Sequence, residues 1–123
     1  MNINKLRDEI HSNAVDKGFW DKPSETGTLL MLCVSELAEA LEADRKGNLI
    51  NKLGKFEKEF GENPSAFKDS FEYYIKDTLE DELADTIIRV LDICGAKGID
   101  IEKHIELKMA YNSTREKMHG KKY

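Results

Sequence analysis

Apolar residues recur at helical spacing through nearly the whole of this chain, and few residues favour strands in alternation. That property points to an all-α fold. There are only two prolines, Pro23 in a connector and Pro64 at a helix start. The pattern predicts a first helix over about Asn4–Asp16, with Leu6, Ile10 and Ala14 on one side. Lys17-Gly18 ends it, the glycine supplying a left-handed cap. Phe19–Pro23 reads as a connector. A second helix is expected from Ser24, a good N-cap residue, with Glu25 in its first turn, to about Arg45, before Gly47-Asn48. Inside it, Leu29–Val34 (LLMLCV) is apolar all round and is expected to be the buried centre of the fold. A third long helix is expected over about Thr78–Ala96, ending at Gly98, and a fourth from Ile101 to about Met118, capped by Asp100. The expected architecture is one domain, residues 1–123: a helical bundle with two long central helices, a helical insertion and a C-terminal helix.

Residues 48–78 differ in character and hold four of the five phenylalanines, 56, 60, 67 and 71. Phe56/Phe60 and Phe67/Phe71/Tyr74 fall at helical spacing, and Asn63-Pro64 reads as a cap followed by a first-turn proline. Two short helices are expected here, forming either a packed connection or a lid over a ligand. A chain of 123 residues can bury a core without disulfides. Cys33 and Cys94 have no CxxC partners and lie inside expected helices, which suits buried reduced thiols in a cytoplasmic protein. The longest apolar run is six residues, far too short for a bilayer, and MNINKLRDEI lacks the apolar stretch of a secretory signal, so no membrane partner is expected.

The net charge of −5 argues against a general nucleic-acid-binding surface. The charge is uneven, however. Lys103–Tyr123 carries six Lys/Arg against two Glu, whereas acids gather at 36–44 and 77–85. Cations set beside a polyphosphate and carboxylates beside its metal would separate in this way; so would a plain solvated basic tail.

The sharpest signal is a near-repeat, Glu36-Leu37-Ala38-Glu39 in the second helix and Glu82-Leu83-Ala84-Asp85 in the third. Each holds two carboxylates three residues apart, which a helix places on one face. Glu36 and Glu39 follow Leu29 and Leu32 by seven residues, so both continue lines that are otherwise apolar. Two anions there are costly to bury unless a cation neutralises them. In the third helix Asp81, Glu82, Asp85, Arg89 and Asp92 share the narrow sector left by a broad apolar one. If the two helices pack together, four carboxylates converge. All-oxygen ligation suits Mg²⁺, or alternatively Mn²⁺, rather than zinc. The competing reading is a pair of solvated helix surfaces with ion pairs. Ferritin-like di-iron bundles use Glu-x-x-His, which this chain lacks; His11, His104 and His119 are scattered.

Lys108, Asn112, Arg115 and His119 fall at i, i+4, i+7 and i+11 of the fourth helix, hence on one face. Lys and Arg bind phosphate oxygens, and Asn can donate to a phosphate or a sugar hydroxyl. There is no GxxxxGK[ST] loop, no GxGxxG and no GxSxG elbow. Chemistry on a phosphate is therefore expected to be metal-assisted attack by water.

SELAEALEADR followed by EDELADTIIRVLD resembles the ExxE…ExxD signature of the MazG-like, all-α nucleoside triphosphate pyrophosphohydrolases, and KMAYNSTREKMHGKKY is similar to that family's C-terminal K…N..R segment. The resemblance covers about Phe19 to Lys122, apart from the middle. It implies Mg²⁺ ligation by Glu36, Glu39, Glu82 and Asp85, with a glutamate, Glu39 being chosen here, as general base. It also implies phosphate or sugar contacts from Lys108, Asn112 and Arg115, and assembly as a homodimer or homotetramer. The implied reaction converts an NTP or dNTP to a nucleoside monophosphate and pyrophosphate. Forty-two residues separate Glu39 from Glu82, more than the family usually has, which makes the phenylalanine-rich segment an insertion. Trp20 is a candidate to stack on a nucleobase, or else it anchors the core. The alternative function is a non-catalytic, oligomeric helical protein that binds nucleotide or metal in a regulatory role.

Overall fold

A computed structural model of the chain describes residues 2–49 and 53–122. Among these, all regular structure is helical: α1 (Ile3–Asp16), α2 (Thr26–Arg45), α3 (Leu53–Glu62), α4 (Phe67–Tyr74), α5 (Leu79–Lys97) and α6 (Ile101–Ser113), with short 3-10 turns at Pro64–Ala66 and Lys117–Gly120. The all-α expectation holds. The chain forms two compact units, Met1–Pro23 with Leu91–Tyr123, and Ser24–Val90, so α5 contributes its beginning to one and its end to the other. No helix among the described residues is long and apolar enough to cross a membrane.

In the first of these units the starts of α1 and α6 tie each other down. Asp100 is the N-cap of α6 as expected: its carboxylate accepts the Lys103 N–H at 3.1 Å, and the Asn4 amide at 2.7 Å. The Glu102 carboxylate accepts the Ile3 N–H at 2.8 Å, and Asn4 Oδ1 accepts the Glu102 N–H at 3.2 Å. These bonds satisfy N–H groups that a helix start leaves without intrahelical partners. α1 is followed by Gly18, whose φ of +86° sets the turn in which the Phe19 N–H reaches the Ala14 carbonyl.

Gly95 lets α5 approach α1. A Cβ there would lie 2.5 Å from His11 Cβ and 3.4 Å from the Arg7 carbonyl oxygen. The obstacle is an atom fixed to the α1 backbone, so it cannot swing aside as a side-chain tip would. Gly95→Ala gains up to about 1 kcal/mol of helix propensity but loses about 1–3 kcal/mol to overpacking. The expected outcome is a lower midpoint in urea unfolding; an unchanged or raised midpoint would contradict this close approach.

In the second unit, α3 and α4 form the two short helices expected in the phenylalanine-rich segment. Phe56, Phe60, Phe67 and Phe71 make one aromatic cluster, with neighbouring ring centroids 5.3 to 6.5 Å apart. Mixed stacked, edge-on and tilted pairings of this kind add to the apolar burial.

Three expectations are corrected. α2 starts at Thr26 rather than Ser24: Glu25 occupies the cap position with extended backbone, its carbonyl accepts the Leu29 N–H, and no side chain caps the end. α6 stops at Ser113, five residues before Met118. The Ser113 and Thr114 hydroxyls donate to the Ala110 and Tyr111 carbonyls, competing with the backbone N–H groups that would prolong the helix. Met118 and His119 then adopt positive φ, which no helix continues through. Finally, Leu29–Val34 is not a buried centre in the single chain. Cys33 is buried, but Leu30, Met31 and Val34 are 53%, 63% and 49% exposed. Helix sequence alone defines an apolar surface, not what covers it. Cys33 and Cys94 are both buried and free of disulfides, as expected.

Candidate metal centre

α2 and the first part of α5 meet through charged groups. Glu36, one turn beyond Cys33 on α2, is only 7% exposed, and Glu82 on α5 only 5%. One carboxylate oxygen from each of Glu36, Glu82 and Asp85 lies within 4.8 Å of the others. Glu39, the fourth of the expected ligands, is outside this trio; it is exposed, lines the same cleft and hydrogen-bonds with Glu82. The cleft has a volume of about 450 Å³, and Phe71, Glu72, Lys76, Asp77 and Asp81 complete its lining.

The electrostatics are those of a buried acidic cluster. Burial, then the hydrogen bond and charge of Glu39, then the charges of Asp81 and Glu36, push the Glu82 carboxyl up to about 7 from an ordinary 4.5. Burial first, then Asp81 and Glu36, also raise Asp85, against the opposing pull of Arg89. Arg89 Nε donates to Glu36 Oε1 in a tight ion pair. This arginine, seven residues after Glu82 on α5, was not singled out as a site residue from sequence; its place among Asp81, Glu82 and Asp85 in the polar sector of α5 was the available signal. Three carboxylates with two of them buried are the donor set a hard divalent cation requires, and one arginine does not neutralise them all. These acidic groups could hold a metal ion.

A larger depression, about 670 Å³, is lined by residues of α3 and α4. Its central acid is already satisfied: the Glu59 carboxylate accepts from Ser70 Oγ at 2.7 Å and from Tyr74 Oη at 3.2 Å. Size alone does not make it the better cation site.

Two of the expected substrate contacts, Lys108 and Asn112, lie on α6, while Arg115 and His119 lie beyond its end, so the continuous four-residue helical face is not formed. Lys108 Nζ and Arg115 Cζ nevertheless stand 5.1 and 5.6 Å from the centroid of the Tyr111 ring, and Arg115 Nη2 donates to the His119 carbonyl at 3.2 Å. Tyr111 thus gathers the two cations, a role that sequence spacing did not suggest. Asn112 Oδ1 is buried with no hydrogen-bond partner. Trp20 belongs to the same compact unit as this group. Its indole N–H donates to Asp92 at 3.0 and 3.1 Å, and its ring stands edge-on to His11, itself 2.8 Å from Asp92. That is the core-anchoring arrangement rather than a free stacking platform.

Comparison of the chain with models of protein families, with curated proteins and with solved structures yields no match.

The raised Glu82 and Asp85 carboxyls make metal-free stability pH-dependent. Between about 4.5 and 7 the folded Glu82 keeps a proton that the unfolded chain has lost. The stability contributed by this carboxyl is therefore fully present below 4.5 and is lost as pH rises through about 7. Unfolding by urea in EDTA is expected to show this decline between about pH 5 and about pH 8, with Mg²⁺ restoring more stability at the higher pH, where Glu82 has lost its proton. Equal Mg²⁺ stabilisation at both pH values would contradict the assignment.

Proposed function

We propose that the chain is a Mg²⁺-dependent nucleoside triphosphate pyrophosphohydrolase, converting an NTP or dNTP to the monophosphate and pyrophosphate. The observation that carries the reading is the convergence of Glu36, Glu82 and Asp85 in a cleft that Glu39 also lines. The resemblance of the two acidic motifs to those of MazG-like enzymes supplies the reaction class. A divalent cation held by the carboxylates supplies charge neutralisation for the triphosphate and acidifies water at the α-phosphorus. Glu39, exposed and outside the trio, is free to take the proton from the attacking water. Arg89 holds the Glu36 carboxylate toward α5. Lys108, Asn112 and Arg115 are proposed to contact phosphate or sugar, with the orphan Asn112 oxygen suited to accept from a hydroxyl. Incubation of the protein with each NTP and dNTP plus Mg²⁺, followed by chromatography, is expected to yield monophosphate and pyrophosphate from at least one. Metal binding without turnover of any nucleotide would instead establish the non-catalytic regulatory alternative.

We further infer that the chain works as a homodimer or homotetramer. Leu30, Met31, Val34, Leu37 and Leu41 of α2 and Ile87 of α5 are each about half exposed or more. An apolar surface of that extent marks an interface. Light scattering at micromolar concentration is expected to return at least twice the 14.1 kDa chain mass; a monomer mass would overturn the inference.

A further inference from the structure

We propose that Lys76 is a phosphate-binding residue of the carboxylate cleft and holds the part of the triphosphate that departs as pyrophosphate. The inference rests on the pyrophosphohydrolase reading and deepens it. Lys76 lies between the two acidic motifs, in the stretch that the family resemblance leaves unmatched, so the resemblance gives it no role.

Seven carboxylates line the cleft and, among the described residues, a single cation, Lys76. A divalent metal offsets part of that charge, but a triphosphate brings more, and without a cation it is repelled. Two other cations of the same compact unit stand at the cluster, and both are engaged. Arg89 is committed to Glu36. Lys46, which lines a neighbouring cleft with Glu39 and Glu82, pairs with Glu42 at 3.5 Å. Lys76 is exposed and makes no ion pair among the described residues. Its partner by spacing is Glu72, four residues earlier, but α4 ends at Tyr74, and the helical geometry that makes such pairs stops short of Lys76.

The backbone beneath this ammonium is fixed on both sides. The Lys76 N–H donates to the Phe71 carbonyl at 3.0 Å. Asp77 follows in the left-handed region, with φ of +63°. Its N–H donates to Asp81 Oδ2 at 3.0 Å, and its carbonyl accepts the Asn48 amide at 2.7 Å. A held backbone with an unpaired cation on it loses little freedom when it takes up an anion. The ammonium offers three N–H donors and no acceptor, which suits phosphoryl oxygens. Attack by water at the α-phosphorus breaks the bond to the bridging oxygen, whose electron pair passes to the pyrophosphate. Negative charge grows there, so a cation touching the outer phosphates favours the transition state over the ground state.

The test measures binding of Mg²⁺-pyrophosphate to the full chain by calorimetry, beside NTP kinetics. Lys76→Gln removes the charge at an exposed position; circular dichroism checks the fold, and Lys76→Ala reads the same contact if the glutamine variant misfolds. Pyrophosphate affinity and kcat/KM are each expected to fall about ten- to a hundred-fold, the worth of one hydrogen bond between charged groups. Nucleoside monophosphate affinity should change little. Mn²⁺ affinity without nucleotide should be unchanged or higher, because a positive neighbour of the ligands has gone. Lys76→Arg should recover most of the lost pyrophosphate affinity. Equal weakening of metal, monophosphate and pyrophosphate would make Lys76 a structural residue and overturn the proposal. A folded Lys76→Gln protein with wild-type pyrophosphate affinity and kcat/KM also overturns it, and leaves the enzyme standing. Lys76-dependent pyrophosphate binding in a protein that hydrolyses no nucleotide would keep the phosphate contact and remove the hydrolase. Failure of the wild type to bind pyrophosphate removes the contact itself.

Discussion

Glu39→Gln is expected to slow pyrophosphate release by about 10²–10⁴-fold, the usual contribution of a positioned general base. Mg²⁺ affinity should change little. The distinction follows from the geometry of the four acids. Glu36, Glu82 and Asp85 bring oxygens within 4.8 Å of one another, and Glu39 is not among them. Glutamine keeps the size and a hydrogen bond toward Glu82 but cannot accept a proton from water. Glu39 is exposed on α2, so the fold should be unaffected. The check is turnover at saturating NTP and Mg²⁺ together with a metal titration of the variant. Wild-type turnover in a folded Glu39→Gln protein would remove Glu39 from the catalytic role. Loss of Mg²⁺ binding along with turnover would move it into the ligand set.

Glu82→Gln should separate stability from function in the opposite sense. The native Glu82 carboxylate is buried among other acids, and its charge opposes folding whenever no cation is present. Replacing a buried, poorly compensated charge by a neutral residue of similar volume is expected to stabilise the metal-free protein at pH 8 by about 1–3 kcal/mol. The amide also brings N–H donors to a neighbourhood of carboxylate acceptors. At pH 5, where wild-type Glu82 already carries its proton, the gain should shrink, following the window between 4.5 and about 7. Mg²⁺ should no longer stabilise the variant, and pyrophosphate release should be lost. Urea unfolding in EDTA and in Mg²⁺ at the two pH values reads all of this. A variant less stable than wild type in EDTA at pH 8 would mean that Glu82 is well compensated within the fold, and the cation would lose its main argument.

The sequence made different parts of this molecule legible to different degrees. Local signals worked where side chain and backbone are neighbours in the chain. Asp100 caps α6, Gly18 and Gly98 take the left-handed conformation after α1 and α5, and the phenylalanine spacing fixes α3 and α4. They failed where two local devices compete. Between Ser113 and Met118 no glycine or proline interrupts the helical pattern, yet adjacent hydroxyls bonding back to the last turn end α6 early. The two acidic motifs identified which residues form the cluster, because carboxylates on an apolar helix line are informative without knowing the partner. What closes on them was not legible. Glu36 and Arg89 are 53 positions apart, and their pairing depends on how α2 and α5 meet. Tyr111 between Lys108 and Arg115 was missed because an aromatic residue at helical spacing reads as core until its exposure, here 55%, is known. The reading of Leu29–Val34 as the centre of the fold failed because hydrophobicity predicts that a surface must be covered, not that this one chain covers it.

The most direct measurement of the proposed chemistry is hydrolysis of the best NTP in ¹⁸O-labelled water with Mg²⁺, with both products analysed by mass spectrometry. Attack at the α-phosphorus, assisted by Glu39, places one labelled oxygen on the nucleoside monophosphate and none on the pyrophosphate. Label in pyrophosphate or release of orthophosphate would contradict the reaction assigned to this cleft, and absence of turnover with every nucleotide would contradict the enzyme itself.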